Sequence, residues 1–151
     1  MATPRRPGEG TGPGNPPPSR RSAVQRLGDA AETHVAGRLT AAGWTVVGRN
    51  VRIGRKEVDL LALDPGPPVC LVLVEVRWRG RRDFGVPEET FDHRKRAHLR
   101  AALGLLLELD RLPDGRPLPG ARLRVDLVVV EPPVHPGAAP RLRHHRDALG
   151  G

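Results

Sequence analysis

Two acidic side chains lie inside segments that otherwise have the apolar composition of buried strands. Asp59 belongs to the segment EVDLLAL (57–63), and Glu75 lies near the end of VCLVLVEVRW (69–78). Two carboxylates that meet in a covered sheet repel each other and are poorly solvated. A divalent cation between them removes that cost, and Mg²⁺ prefers oxygen ligands, commonly one or two carboxylates with carbonyls and water. The pair is therefore a candidate metal site.

Strand geometry predicts that the two acids meet. Residues two apart in a strand share a face, so Glu75 should point with Arg77, and Asp59 with Leu61. If the two strands pair through the Pro-rich reversal at 64–68, Asp59 and Glu75 come to lie side by side.

A third acid, Glu32, precedes the pair, beside the apolar stripe of the first predicted helix. Any one of these acids could simply be solvated or paired with an arginine such as Arg77 or Arg124, because charged residues are seldom buried unless paired. The functional interpretation depends on the whole set: Asp59 and Glu75 in adjacent strands, with Glu32 on the preceding helix.

A group of arginines surrounds the end of the strand that carries Glu75. They are Arg77, Arg79, Arg81 and Arg82. A solvated loop accounts for them adequately. Beside a site that takes a phosphate ligand they are better explained as nucleic-acid-binding residues, because guanidinium groups bind phosphate in a bidentate manner.

Apolar periodicity predicts the elements that must position these residues. The first helix carries an apolar stripe of Leu27, Ala31, Val35 and Leu39. The elements are a helix from Ser22 as N-cap to about residue 42, strands at 44–51, 57–63 and 69–78, a helix from Pro87 or Asp92 to Asp110, and a strand at 122–130. Three consecutive strands predict a meander, and the helix after them predicts a right-handed crossover. The predicted fold class is α/β, a mixed sheet flanked by helices, with the 69–78 strand central and covered on both sides.

Lys95 interrupts the apolar face of the second predicted helix. It shares that face with Leu99, Ala102 and Leu106. Two explanations are equally open. The ammonium reaches the acidic site, or the stem packs and the ammonium snorkels to water.

Composition divides the chain into one foldable domain at 22–131 and two tails. Residues 1–21 and 132–151 are rich in Pro, Gly and charged types, and we predict disorder, because they bury too little apolar surface to offset their ordering entropy. Of the net charge of +8, the first 25 residues hold four Arg against one Glu, and the last 20 hold three Arg against one Asp. Basic tails favour a polyanionic partner such as nucleic acid.

The lone Cys70 leaves no disulfide within the chain and fits a reducing cytoplasm. Neither a membrane-spanning run nor a secretory signal is visible, so we expect a cytoplasmic protein without a membrane partner.

An ordered series of residues extends over about 26–130. It comprises Gly28, Glu32 and Ala36; Arg49, Asn50 and Gly54; Glu57, Val58, Asp59 and Leu60; Val74, Glu75, Val76, Arg77 and Arg79; Phe84, Gly85 and Pro87; Lys95; and Arg124, Val125 and Asp126. This series resembles the PD-(D/E)XK nuclease superfamily, and more closely the YraN-like family of small bacterial proteins, whose fold is similar to archaeal Holliday-junction resolvases. The resemblance implies a restriction-endonuclease-like core with the order helix, three strands, helix, strand.

The resemblance also implies roles. Asp59 and Glu75 would bind Mg²⁺ (or Mn²⁺), with the Val76 carbonyl as a third ligand. Glu32 would contact the ion directly or through water. The ion would activate a water for in-line attack on a phosphodiester. The implied catalytic residues are Glu32, Asp59, Glu75, Arg77 and Lys95.

Arg77 departs from the resemblance, because the superfamily usually has lysine there. An arginine is always protonated and cannot act as a base, although it can stabilise charge on a phosphate. The leading hypothesis is a Mg²⁺-dependent endonuclease acting on DNA, branched or single-stranded. The alternative is a nucleic-acid-binding module of the same fold with weak or no catalysis. A third hypothesis is an adaptor whose basic tails recruit DNA-processing proteins. Resolvase-like cleavage would require a homodimer.

Overall fold

The computed structural model describes residues 20–79, 91–119 and 122–150. The elements in these ranges are α1 (Arg20–Ala41), β1 (Thr45–Ile53), β2 (Lys56–Asp64), β3 (Cys70–Trp78), α2 (His93–Leu109), β4 (Arg122–Glu131) and β5 (Arg141–His145). The strands form one sheet in the order β1-β2-β3-β4-β5. In the described part of the chain, neither helix has the length and apolarity needed to cross a bilayer.

The sheet is mixed, as the order of elements predicts. β1, β2 and β3 form an antiparallel meander, and β4 lies parallel to β3 after the α2 crossover. Helix α2 begins after Asp92, whose side chain accepts a hydrogen bond from the Lys95 N–H at 3.0 Å. This cap satisfies one of the backbone donors that the first turn leaves open. Of the two predicted starting points, Asp92 is therefore correct, and Pro87 lies outside the described residues.

Strand β3 is covered on both faces, as its continuous apolar run predicts. Leu71 and Leu73 are buried on the α2 side, and Val72 and Val74 are buried on the α1 side. Each helix contributes one buried stripe: Leu99, Ala102 and Leu106 from α2, and Ala31, Val35 and Leu39 from α1. Two details of α1 were predicted wrongly. The described part of the helix starts at Arg20, so Ser22 lies within the helix and is not its N-cap, and Leu27 is 48 % exposed, outside the buried stripe.

The prediction that residues 132–151 are disordered is wrong for Arg141–His145. This segment pairs antiparallel with β4 and adds a fifth strand to the sheet. Leu142 packs on the α1 side, and the Ala148 N–H donates to the Val125 carbonyl at 2.7 Å. The Arg-Leu-Arg-His-His sequence supplies only one apolar side chain, which is too weak a pattern to predict a strand without its partner.

A buried polar network joins β5 to β4 on the α1 side of the sheet, the face opposite to that of the Glu75 side chain. The Asp126 carboxylate is fully buried and accepts hydrogen bonds from Arg124, from the Asp147 N–H, and from His144 at 2.8 Å. Burial alone would raise the pKa of Asp126, but the hydrogen bonds from His144, Arg124 and Asp147 outweigh it and hold the pKa below its usual value. His144, which lies in the segment predicted to be disordered, is therefore a structural residue of this network.

Candidate active site

The structure brings Asp59 and Glu75 to adjacent positions on β2 and β3. The pairing of these strands runs from Asp64 opposite Cys70 to Leu60 opposite Val74, and the two acids occupy the next positions. The Asp59 Oδ2 atom accepts a hydrogen bond from the Val76 N–H at 2.9 Å. A side-chain oxygen thus takes the place of a backbone acceptor where the regular pairing stops.

The alternation of side chains along β2 shifts at Asp59. Val58 packs on the α2 side and Leu60 on the α1 side, although residues two apart normally share a face. Asn50, opposite this point on β1, has a φ of 47°, a left-handed conformation that asparagine tolerates better than most residues. Because of this shift, alternation from Leu61 does not fix the face of the sheet that Asp59 occupies. The local irregularity directs its carboxylate along the sheet toward β3, as bulges near functional sites commonly do.

The Val76 carbonyl points to the side of β3 that faces β2 and Asp59. In a β-strand, the N–H and C=O of one residue project to the same side of the backbone. Since the Val76 N–H reaches Asp59, its carbonyl also faces β2, beyond the last regular pair of the two strands. Val76 can therefore supply a neutral oxygen beside the two carboxylates.

Glu75 is the most buried acid of the site, with 3 % of its surface exposed. Its Oε1 atom lies 3.1 Å from the Lys95 Nζ atom and 3.4 Å from the Arg77 Nε atom. Its Oε2 atom is buried and has no hydrogen-bond partner among the described residues. Of the two explanations for Lys95, the first is correct: the ammonium reaches the acidic site, and 28 % of the side chain stays exposed.

Glu32 approaches the site from α1. It is 9 % exposed, and its Oε2 atom is also buried without a hydrogen-bond partner in the described ranges. Burial, and then the negative charge of Asp59, raise the pKa of Glu32 to about 7. Arg49 and Asn50 partly oppose this rise, Asn50 through a hydrogen bond to the carboxylate. Asn50 is a site residue to which sequence analysis assigned no role, although it belongs to the series that carries the family resemblance.

Asp59 is the centre of the electrostatic cluster. Burial, and then the charge of Asp59, raise the pKa of Glu75 to about 7, even though Lys95 and Arg77 lower it. Asp59 thus acts on Glu32 from one side and on Glu75 from the other. The fold holds three acids together at an unfavourable electrostatic cost, which is typical of functional sites.

The donor set fits a hard divalent cation. No three Asp, Glu, His or Cys side chains in the described part of the chain are grouped closely enough to bind a metal by themselves. A set of two carboxylates, one backbone carbonyl and water is what Mg²⁺ commonly uses, because it retains several waters. The buried, unpartnered oxygen of Glu75 is the direct structural indication, since a cation would satisfy it.

The structure describes only part of the predicted nucleic-acid-binding arginines. Arg77 is 32 % exposed beside Glu75. Arg79 directly follows the last residue of β3, and its Nη1 atom lies 3.4 Å from the Glu131 Oε1 atom. Arg81 and Arg82 lie outside the described residues, as do Phe84 and Gly85 of the family resemblance. Trp78 packs against the α1-side core and does not form a stacking platform at the site.

Replacing Glu75 with glutamine should stabilise the metal-free protein at alkaline pH. A folded-state pKa near 7, above the ordinary value of 4.5, means that the folded state binds more protons between these values. Stability should therefore fall as pH rises from about 4.5 to 7 and level off above that, by up to about 3 kcal/mol from Glu75. Urea unfolding in EDTA at several pH values measures this, and Glu75→Gln should make the dependence shallower, leaving the part that comes from Glu32. Glu108→Gln, an exposed site on α2, is the control. A wild type whose stability does not fall over this range would contradict the prediction.

A mixed sheet between two helices, with an acidic cluster where two antiparallel strands stop pairing, defines an α/β protein with a nuclease-like core. The model of the uncharacterised protein family UPF0102 matches residues 31–130. The chain belongs to this family, which is the YraN-like family of the resemblance.

Curated relatives carry the same family name. A UPF0102 protein of Symbiobacterium thermophilum is 40 % identical over 108 residues, covering 72 % of this chain and 84 % of the relative. One of Roseiflexus castenholzii is 37 % identical over 105 residues, covering 70 % and 78 %. One of Moorella thermoacetica is 33 % identical over 106 residues, covering 70 % and 81 %. The match of the family model ends at residue 130, so it does not include β5.

Proposed function

We propose that the protein is a nuclease that hydrolyses phosphodiester bonds in DNA and depends on a divalent cation, Mg²⁺ or Mn²⁺. The observation that carries the proposal is Glu75: it is buried and beside Asp59, and one of its oxygens has no partner within the described part of the chain. A purely structural acid would be expected to have both oxygens satisfied, because an unmade buried hydrogen bond is costly.

Asp59 and Glu75 would hold the cation, with the Val76 carbonyl beside them and Glu32 within reach directly or through water. When bound, the ion supplies positive charge for the scissile phosphate and lowers the pKa of a bound water. Lys95, 3.1 Å from Glu75, holds that carboxylate in place and adds a compact positive charge. Arg77 cannot accept a proton, so its role is to orient Glu75 and stabilise charge on the phosphate.

Purified protein incubated with DNA tests the proposal. Single-stranded, duplex, flap and four-way-junction DNA should be offered with Mg²⁺, with Mn²⁺ and with EDTA. Cleavage of at least one substrate is expected with either ion and none with EDTA. Binding without cleavage of every substrate would contradict nuclease activity and favour the second candidate.

The second candidate is a nucleic-acid-binding module with this fold and little catalysis. Arg77 favours it, because the residue replaces the lysine that orients the attacking water in the related enzymes. The position of Lys95 weighs against it, because an ammonium group is nevertheless present at Glu75.

Lys95 should matter more to cleavage than Arg77. Lys95→Met keeps the apolar stem and removes the charge, and we expect cleavage to fall by about 10²–10³-fold, the usual loss when a preorganised electrostatic donor is removed. Arg77→Lys keeps a positive charge and should change the rate by less than about tenfold. Single-turnover cleavage at saturating DNA measures both variants. If Arg77→Lys raises cleavage strongly while Lys95→Met leaves it intact, Lys95 has no catalytic role.

Cleavage of four-way junctions would require two active sites, because two strands are cut symmetrically. A homodimer is therefore part of the proposal for this substrate, and light scattering of the protein with and without junction DNA tests it. A cytoplasmic location agrees with the single, buried Cys70 and with a DNA substrate.

A further inference from the structure

We propose that β5 extends the active-site face into a phosphate-binding strip, formed by Arg79, Arg141 and Arg143, along which a DNA strand crosses the sheet. The inference rests on the proposed function in one respect, the identity of the ligand as DNA. It adds residues of β5, which lies outside the segment that the family model matches.

Strand register places the three arginines on the same face as Glu75. In the parallel pair, Glu75 lies opposite Leu127 and Arg77 opposite Val129, and both β4 residues are buried on the α2 side. Arg143 lies opposite Val129 across the antiparallel β4–β5 pair, so it shares this face.

The same alternation places Arg141 and Arg79 on this face, because each lies two residues from one of the arginines already placed there. Arg141 lies opposite Glu131, two residues beyond Val129. The Arg79 N–H donates to the Val130 carbonyl at 2.9 Å, which continues the β3–β4 pairing. Adjacent strands are about 4.8 Å apart, so β3 to β5 spans roughly 10 Å, enough for two or three phosphates of one DNA strand.

Glu131 holds the three arginines together but leaves an excess of positive charge. Its carboxylate oxygens lie 3.4 Å from Arg79, 3.3 Å from Arg141 and 2.9 Å from Arg143. One arginine would be enough to compensate a buried carboxylate, and Arg79 and Arg141 by themselves already carry one positive charge more than Glu131 offsets. Three guanidinium groups carry fifteen N–H donors, whereas one carboxylate offers about four acceptor positions.

The arginines remain accessible although their anchor is buried. The side chains are 43 %, 57 % and 37 % exposed for Arg79, Arg141 and Arg143, while that of Glu131 is 8 % exposed. An anchored guanidinium loses less side-chain entropy when it binds phosphate, and Arg presents donors in a fork that matches phosphate oxygens. A solvated arginine cluster needs no such buried anchor, so the arrangement favours a preorganised phosphate site.

DNA binding measured in EDTA, where the proposed nuclease does not cut, tests the strip. Full-length protein is titrated into a fluorescein-labelled 20-nucleotide thymidine strand, and anisotropy is followed at several salt concentrations. For Arg141→Gln/Arg143→Gln we expect binding about tenfold weaker. The slope of log K against log salt should fall by about 1.4, since each lost phosphate contact on a single strand contributes about 0.7.

Arg111→Gln/Arg116→Gln is the matched control, because it removes the same charge from the α2–β4 connection, before β4 begins. It should stay within about twofold of wild type. Arg141→Lys/Arg143→Lys, which keeps the charge, should bind within about threefold of wild type. Should the double glutamine variant melt below the assay temperature, Arg141→Gln alone decides, with an expected loss of about threefold.

The strip is overturned if the glutamine variants bind like the Arg111→Gln/Arg116→Gln control, or if wild type does not bind the strand. The nuclease proposal is judged separately, by cleavage with Mg²⁺. A protein that binds through the strip but cuts no DNA keeps the strip and loses the nuclease. A protein that cuts DNA while the glutamine variants bind like the control loses only the strip.

Discussion

Replacing Asp59 with asparagine is expected to lower the rate of DNA cleavage by at least about 10³-fold. Asp59 lies between Glu32 and Glu75 and is the acid that influences both. A catalytic cation contributes several kcal/mol of charge stabilisation in the transition state, and each 1.36 kcal/mol corresponds to tenfold in rate. An asparagine oxygen can still accept the Val76 N–H, so the local strand geometry should be kept.

DNA affinity of Asp59→Asn, measured in EDTA, should stay within about threefold of wild type, because phosphate contacts come from the arginines. Asp114→Asn is the matched control: the same chemical change at an exposed site beside Arg116, in the connection before β4. It should cut at the wild-type rate. Cleavage by Asp59→Asn at more than a tenth of the wild-type rate would show that the activity does not arise at this site.

Removing the Asp126 carboxylate should be the most destabilising single change considered, at about 3–5 kcal/mol for Asp126→Ala. The carboxylate is fully buried, and the change leaves Arg124 and His144 without their principal acceptor. It also removes the hydrogen bond to the Asp147 N–H at the end of β5. Urea unfolding at pH 7 measures the loss.

The matched control for Asp126→Ala is Asp114→Ala, an exposed acid paired with an arginine, which should leave stability essentially unchanged. Hydrogen exchange adds a local test: backbone amides of β5 should lose protection before those of β3. A loss below about 1 kcal/mol would mean that the Asp126 network contributes little to holding β5 in the sheet.

Asp126 pairs with Val74, the residue before Glu75, but its network lies on the α1 face of the sheet and the Glu75 side chain on the α2 face. Residues Asp64, Arg124 and Arg146 near this network line a cavity of about 630 Å³, together with the Pro-rich reversal between β2 and β3. The cavity does not include the acids of the candidate site. A polymer such as DNA needs an extended accessible surface, and the exposed arginines beside Glu75 and on β5 provide one.

Local sequence patterns determined most of the core. The apolar run of β3 required a strand buried on both faces, and Asp92 set the start of α2 because its side chain accepts a hydrogen bond from the first turn. The short Pro-rich reversal forced β2 and β3 to pair, which placed Asp59 next to Glu75. These features depend on residues close in sequence, so periodicity and turn chemistry could predict them.

Only the tertiary structure decided the features that depend on distant partners. Lys95 reaches Glu75 because Leu99, Ala102 and Leu106 fix the docking of α2 on the sheet. Residues 141–145 become a strand because β4 offers an edge and Asp126 a buried acceptor for His144. Burial and charge at such sites are sums over the whole fold, and no stretch of sequence contains them. By itself the sequence determined which acids and arginines the chain has and which strands carry them; the packing of the helices and of β5 decided which of these groups meet.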